Sequence, residues 1–243
     1  MYAAAIGFSV LGSVGGLLTA STFMLLGDAA RVSLVPWLIS YAVGTLLGVA
    51  LLALLPEALG MIAPAPALGT LLGGVLTFFL LEKLVIWRHC HDGHECEVHT
   101  SSAASLVIIG DAFHTFVDGA VIAAAVLTSI PLGLTTAIAV AAHEIPQEVG
   151  DVAILLRAGY SRSRALLLNL MSAVGGVLGA LAMLAASKSL PNALPYVLSF
   201  ASGSFLYVAM SDLIPDLHRG GLKVGPVAQL VLMAAGILTI VLL

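Results

Sequence analysis

The sequence predicts an all-α integral membrane protein with eight transmembrane helices, folded as a single transmembrane domain over residues 1–243. Three observations predict it. Apolar residues make up 60% of the chain and charged residues 9%, with a mean hydropathy of +1.11. A soluble domain carries about a quarter charged residues, so too few are present to cover a water-facing surface. The apolar residues fall in runs of about 20, the length that crosses a hydrocarbon core. The alternating segments of about ten residues that a membrane β-barrel needs are absent. The lipid bilayer is the partner this composition implies. The formal charge of −4 lies in loops or in one internal cluster and gives no basic surface for nucleic acid.

In chain order, the first span covers about residues 3–26. It opens on MYAAAIGFSVLGSVGGLLTA, which lacks a basic n-region and is expected to be retained rather than cleaved. The others fall at about 34–58, 66–88, 103–127, 132–156, 165–187, 194–217 and 223–243. Glycine pairs at Gly12/Gly16, Gly44/Gly48, Gly69/Gly73 and Gly175/Gly179 have the GxxxG spacing that lets helix backbones approach closely. Such faces serve packing within one chain or between two copies, so a homodimer stays open.

Arg31, Lys83, Arg88, Arg157, Arg162, Arg164, Arg219 and Lys223 sit at or near the loops after spans one, three, five and seven; only Lys188 lies on the other side. Cationic loops stay cytoplasmic, which puts both termini outside. LLPEAL (54–59) in span two and LIPDL (213–217) in span seven then run in opposite directions. The arrangement reads as 3+2+3, an inverted repeat of spans 1–3 and 6–8 around central helices four and five, as transporters use.

The central pair carries the chemistry. In span four, Asp111, His114, Thr115 and Asp118 fall within an arc of roughly 100°. In span five, His143, Glu144, Gln147, Glu148 and Asp151 fall within about 140°. A short SIPLG connection makes the two helices antiparallel neighbours, with both histidines near the middle of the bilayer. One carboxylate at that depth costs on the order of 3 kcal/mol, and five stand there without a Lys or Arg at comparable depth. Protons, a water-filled cavity or a bound cation must neutralise them. Imidazole with carboxylate suits zinc, iron or manganese. Pro146, Pro56 and Pro215 remove the helical partners of the carbonyls of Ala142, Leu52 and Ser211, and a kink is expected at each.

HEIPQ, residues 143–147, approaches the HExxH of zinc proteases, but Gln147 stands where the second histidine belongs. His114 and Asp118 could replace that ligand, so an intramembrane zinc metallohydrolase is the alternative. A proton channel would use the acids but leaves the two midplane histidines without a role.

HTFVDG beside HEIPQE, each with GD next to it, together with LLPEAL and ASGSFLYVAMSDLIPDL (201–217), resembles the ZIP family of divalent metal transporters over the whole chain. The resemblance implies a bacterial member in the inner membrane. It would carry a divalent metal ion, Zn²⁺ first and Cd²⁺, Fe²⁺ or Mn²⁺ besides, into the cytoplasm by alternating access between two packed helix groups. The metal is then a transported substrate rather than a cofactor, and the protein is not an enzyme. Among the site residues, His114, Asp118, His143 and Glu144 match family ligands. Gln147 stands where the family often has His or Glu, and Thr115 where it usually has Asn. One well-formed site is therefore expected, with a weak or absent second one. Asp111, Glu148 and Asp151 lie cytoplasmic of the centre as a second-site or exit path.

That path leads toward the loop of residues 88–102, with both cysteines and four of the seven histidines: His89, Cys90, His91, His94, Cys96 and His99. Thiolate and imidazole bind zinc, and reducing cytoplasm disfavours a disulfide. Their spacing fits no zinc finger, so an adaptable chelator is expected.

Overall fold

The structure is a computed structural model that describes residues 1–23, 25–26, 28–87, 100–218 and 224–243. His89, Cys90, His91, His94, Cys96 and His99 lie outside the described residues. The rest is helical, with no strand among the described residues. The α-helices are α1 (Tyr2–Phe23), α2 (Asp28–Gly48), α3 (Leu55–Met61), α4 (Pro64–Trp87), α5 (Thr100–Thr128), α6 (Ile130–Arg157), α7 (Arg162–Ser189), α8 (Leu194–Tyr207), α9 (Ile214–His218) and α10 (Pro226–Leu242). A π-helical stretch, Val49–Leu54, joins α2 to α3, and another, Val208–Leu213, joins α8 to α9. Eight long helical passages result, at the positions of the eight expected spans. The loop expected to run to residue 102 ends sooner, because α5 begins at Thr100.

Among the described residues, six passages are long and apolar enough to cross a bilayer, and α10 is a shorter apolar helix. The remaining passage, α6, has sufficient length at 28 residues but holds the polar cluster. Local chemistry sets its ends. The Ser129 hydroxyl accepts from the Leu132 N–H at 3.2 Å, capping the start of α6. At the other end Gly159, with φ of +85°, makes the left-handed turn. The Gly159 and Tyr160 N–H groups then donate back to the carbonyls of Leu156 and Leu155, as a Schellman motif requires. Ser161 caps α7.

The expected kinks at Pro56 and Pro215 take a different form. Each proline follows one residue after a π-helical stretch, and the carbonyls it deprives, those of Leu52 and Ser211, lie inside that stretch. A locally widened turn accommodates the ring and the missing N–H. Pro146 sits inside a continuous α6.

The helices pack in two groups. One holds α1, α5, α6 and α7, with α5 along α7 and α1 along α6; the other holds α2, α4, α8 and α10, with α2 along α10 and α4 along α8. Glycines set the closest approaches. An added Cβ at Gly119 or Gly179 would lie 1.8 Å from the carbonyl oxygen of Gly176 or Phe116, tying α5 to α7. At Gly16 it would lie 2.8 Å from the Cβ of Glu144, so α1 lies directly against the polar turn of α6. In the second group, Gly44 and Gly236 bring α2 against α10, and Gly74 and Gly203 bring α4 against α8. Gly44 and Gly203 stand equally far ahead of Pro56 and Pro215. Gly69 and Gly73 differ from expectation: nothing lies within 4 Å of an added Cβ, and Gly74 makes the α4 contact instead.

Gly179→Val is expected to lower the thermal midpoint of the detergent-purified protein sharply, because overpacking of this kind costs about 1–3 kcal/mol or more. Gly73→Val should leave it almost unchanged. Parallel melting curves check the contrast.

Candidate metal centre

His114 and Asp118 stand one turn apart on α5, and His143 and Glu144 are adjacent on α6. The two helices are antiparallel, separated only by Ser129, and both histidines fall at mid-helix. One ligand atom from each of the four residues can be chosen so that all lie within 4.8 Å of one another. The two imidazoles meet Nε2 to Nε2 at 3.1 Å. Asp118 Oδ2 lies 3.1 Å from His143 Nε2 and 3.5 Å from His114 Nε2, and Glu144 Oε1 lies 3.9 Å from His143 Nε2. Ligands held tetrahedrally about 2.0–2.1 Å from zinc stand roughly 3.3–3.5 Å apart, close to these edges.

Hydrogen bonding leaves the set open to a cation. His143 Nδ1–H donates to the Ala139 carbonyl at 3.0 Å, which orients the ring and leaves the Nε2 lone pair facing the cluster. Both carboxylate oxygens of Asp118 and of Glu144 are buried without a hydrogen-bond partner. Buried polar atoms ordinarily find partners, and four orphaned oxygens beside two imidazoles suit a divalent cation. Asp118, His143 and Glu144 are buried, while the His114 side chain is 12% exposed.

That exposure opens on a cavity of about 710 Å³. Its walls come from Ile39, from the cavity-facing residues of α4 between Phe78 and Glu82 and of α5 between Ile109 and His114, from Pro146, Gln147, Gly150, Asp151 and Ile154 of α6, and from the α8–α9 passage between Tyr207 and Asp216. Every one of these stretches lies between the centre and the side where α4, α6 and α9 end. On the opposite side, Val121–Val126 and Val140 are buried.

The remaining predicted residues form a layer around the centre. The Gln147 amide donates to Asp111 Oδ1 at 3.0 Å, so Gln147 braces a carboxylate and has only Oε1 left to offer a metal. Ser172 on α7 donates to Asp111 Oδ2, and the Thr115 hydroxyl donates to the Asp111 carbonyl at 2.9 Å. Asp111 and Asp151 line the cavity. Glu148 does not: it is fully buried and accepts from Asn169 at 2.6 Å. The expected ladder of three acids thus has two on the cavity wall.

Sequence reasoning missed the opposite wall. Phe78 and Phe205 set their rings edge-on against His114 and His143, with centroids 5.8 and 5.9 Å apart. Glu82 accepts from Tyr207, and both face the cavity with Asp212 and Asp216. Glu82 in LLEKL and Asp212 and Asp216 in SDLIPDL, acids within apolar runs, were the available signals; the aromatic rings gave none.

Antiparallel membrane helices that bury two imidazoles and two carboxylates around one point define a polytopic membrane protein with an intramembrane cluster that fits a metal ion. A profile of the ZIP zinc transporter family matches residues 87–243, and the chain belongs to that family. The protein is 38% identical over 220 residues to zinc transporter ZIP13 of Pongo abelii, covering 84% of this chain and 65% of that one. It is 32% identical to human ZIP13, covering 84% and 69%. Against a zinc transporter of Schizosaccharomyces pombe it is 34% identical, covering 63% and 36%. The chain thus spans about two thirds of the ZIP13 proteins and less of the others. These relatives are eukaryotic and give the bacterial assignment no support.

His143→Ala and Asp118→Asn are expected to weaken Zn²⁺ binding to the purified protein by more than about 100-fold, and Gln147→Leu by less than about tenfold. Titration calorimetry separates them, and an equal loss at Gln147 would place its Oε1 among the ligands. Protons compete for the same lone pairs, so wild-type affinity should fall as the pH is lowered.

Proposed function

We propose that the protein carries a divalent transition-metal ion across the bilayer, Zn²⁺ first and Cd²⁺, Fe²⁺ or Mn²⁺ besides, through a site made by His114, Asp118, His143 and Glu144. The observation that carries this is a four-ligand cluster at mid-membrane with a cavity leading from it toward the side where α4, α6 and α9 end. Two carboxylates balance the charge of the dication and two imidazoles replace part of its hydration shell. Asp151, on the cavity wall nearer its mouth, offers a further carboxylate on the way out, and Asp111, whose two oxygens are held by Gln147 and Ser172, shapes the wall beside the centre. The zinc-transporter names of the relatives support the same reading. Nothing comparable supports the metallohydrolase.

The ion is released toward the cytoplasm. The cavity opens on the side of the Lys/Arg-rich loops, and the cation bias of those loops supports both termini lying outside. The alternating-access movement is a displacement of α1, α5, α6 and α7 against α2, α4, α8 and α10. The 3+2+3 inverted repeat is supported by the paired π-helical stretches ahead of Pro56 and Pro215 and by the equivalent placing of Gly44 and Gly203. The proposal takes a bacterial inner membrane as the host on the resemblance alone. The open Gly69–Gly73 face of α4 supports a homodimer, and the His/Cys loop of residues 88–99 would receive released metal or sense its excess.

Cells expressing the chain are expected to accumulate zinc saturably, and His114→Ala or His143→Ala should each abolish this at matched membrane expression. Uptake of zinc, cadmium, manganese and iron, measured one metal at a time, ranks the substrates. Normal membrane levels with no metal-dependent difference from control cells would refute transport. Deleting residues 89–99 should leave the site's zinc affinity intact but alter the response of uptake to metal load.

A further inference from the structure

The metal centre meets the cavity through a narrow face. Of its four residues only His114 lines the cavity, and Asp118, His143 and Glu144 are buried behind it. Asp111 stands three residues before His114 on α5, and Gln147 four residues after His143 on α6, each about one turn nearer the cavity. Both line the cavity wall. The Gln147 amide donates to Asp111 Oδ1 at 3.0 Å, so a hydrogen bond joins α5 to α6 one turn on the cavity side of the two imidazoles.

The two ends of this bond are held differently. Asp111 is buried, and its second oxygen accepts from Ser172 of α7. The backbones of α5 and α7 are in contact beside it, since a Cβ added at Gly175 would lie 2.6 Å from the Ala112 carbonyl oxygen. Gln147 is only half-buried, and its side chain is long and rotatable. One turn further along α6, an added Cβ at the cavity residue Gly150 meets nothing within 4 Å, so there is room for the amide to swing. Asp111 is the fixed half of the bond and Gln147 the movable half.

We propose that the Gln147–Asp111 hydrogen bond is a latch on the cavity side of the metal centre, opened by each ion that passes, and that it sets the rate of metal exchange rather than the affinity. The inference rests on the transport reading of the centre. An amide has a donor end and an acceptor end. In the closed form its NH2 group occupies Asp111 Oδ1; turned over, it withdraws the donor and presents Oε1 beside the freed carboxylate oxygen. Two oxygens then meet the ion as it leaves His114, and the bond closes again behind it. A bond broken only during passage raises the barrier equally for entry and exit, so their ratio, the dissociation constant, is unchanged. Asp111, Gln147 and Ser172 all belong to one helix group, so opening needs a side-chain rotation and no displacement of the groups.

The test separates rate from affinity. Zinc-loaded purified protein is mixed with excess chelator by stopped flow, and the dissociation constant is measured by titration calorimetry. Gln147→Leu removes the donor, and Ser172→Ala loosens the fixed half. Each should speed zinc release about fivefold, as the loss of one net hydrogen bond allows, while the dissociation constant moves less than about threefold. Ser172→Thr keeps the hydroxyl and should return release to the wild-type rate. Wild-type release from folded Gln147→Leu would overturn the latch. Release that quickens only in proportion to a weakened affinity would overturn it too, making Gln147 a ligand. Should Gln147→Leu fail to fold, the Ser172 pair decides, and equal release from Ser172→Ala and the wild type overturns the proposal. If the wild-type protein binds no zinc, the reading of the metal centre fails instead, and the latch with it.

Discussion

Two carboxylates and two imidazoles meet at mid-membrane with no Lys or Arg at their depth to balance them, and much of the fold is arranged around that placement. Each charge would cost about 2.5–3.5 kcal/mol on an isolated helix. The structure does not dissipate this with internal ion pairs of the usual kind. It leaves four oxygens of Asp118 and Glu144 without donors while tying their neighbours down: Asp111 to Gln147 and Ser172, Glu148 to Asn169, His143 to the Ala139 carbonyl. Both Asp111 oxygens are bonded by protein, Glu148 keeps one buried oxygen without a donor, and Asp118 and Glu144 keep all four.

Such a centre must also be held in register, and side-chain packing alone gives little purchase between helices in lipid. Glycine supplies it. Gly119, Gly175 and Gly179 bring α5 and α7 into backbone contact, and Gly16 sets α1 against Glu144. This makes the site-bearing helices a compact unit in which ligand distances are set by backbone proximity. The second group uses the same device at Gly44, Gly74, Gly203 and Gly236. Between the groups α2 lies along α6, and the cavity opens where α4 and the α8–α9 passage face α5 and α6.

The widened turns ahead of Pro56 and Pro215 fit this division. Both belong to the second group, and the one in the α8–α9 passage forms part of the cavity wall through Val208, Asp212 and Leu213. A proline in a helix buried in lipid leaves a carbonyl that must be accommodated locally, and a π-helical stretch does so without breaking the span.

Much of the protein was legible from its sequence. Eight runs of apolar residues gave the passages to within a few residues, because bilayer thickness imposes one length on every span. Helical periodicity placed His114, Asp118, His143 and Glu144 on facing surfaces at equal depth, because ionisable residues in an apolar run are rare enough to stand out. Other features were decided only in three dimensions. Periodicity could not say that Gln147 would turn to Asp111, that Glu148 would leave the cavity wall for Asn169, or that Gly74 rather than Gly73 would meet α8. Nor could it single out Phe78 and Phe205 among other apolar residues. The physical reason is common to all of them. A sequence fixes what each face of a helix carries, through depth and spacing along one axis, whereas partners depend on how neighbouring helices are rotated and how closely they approach. In lipid those two quantities are set by packing across the whole bundle.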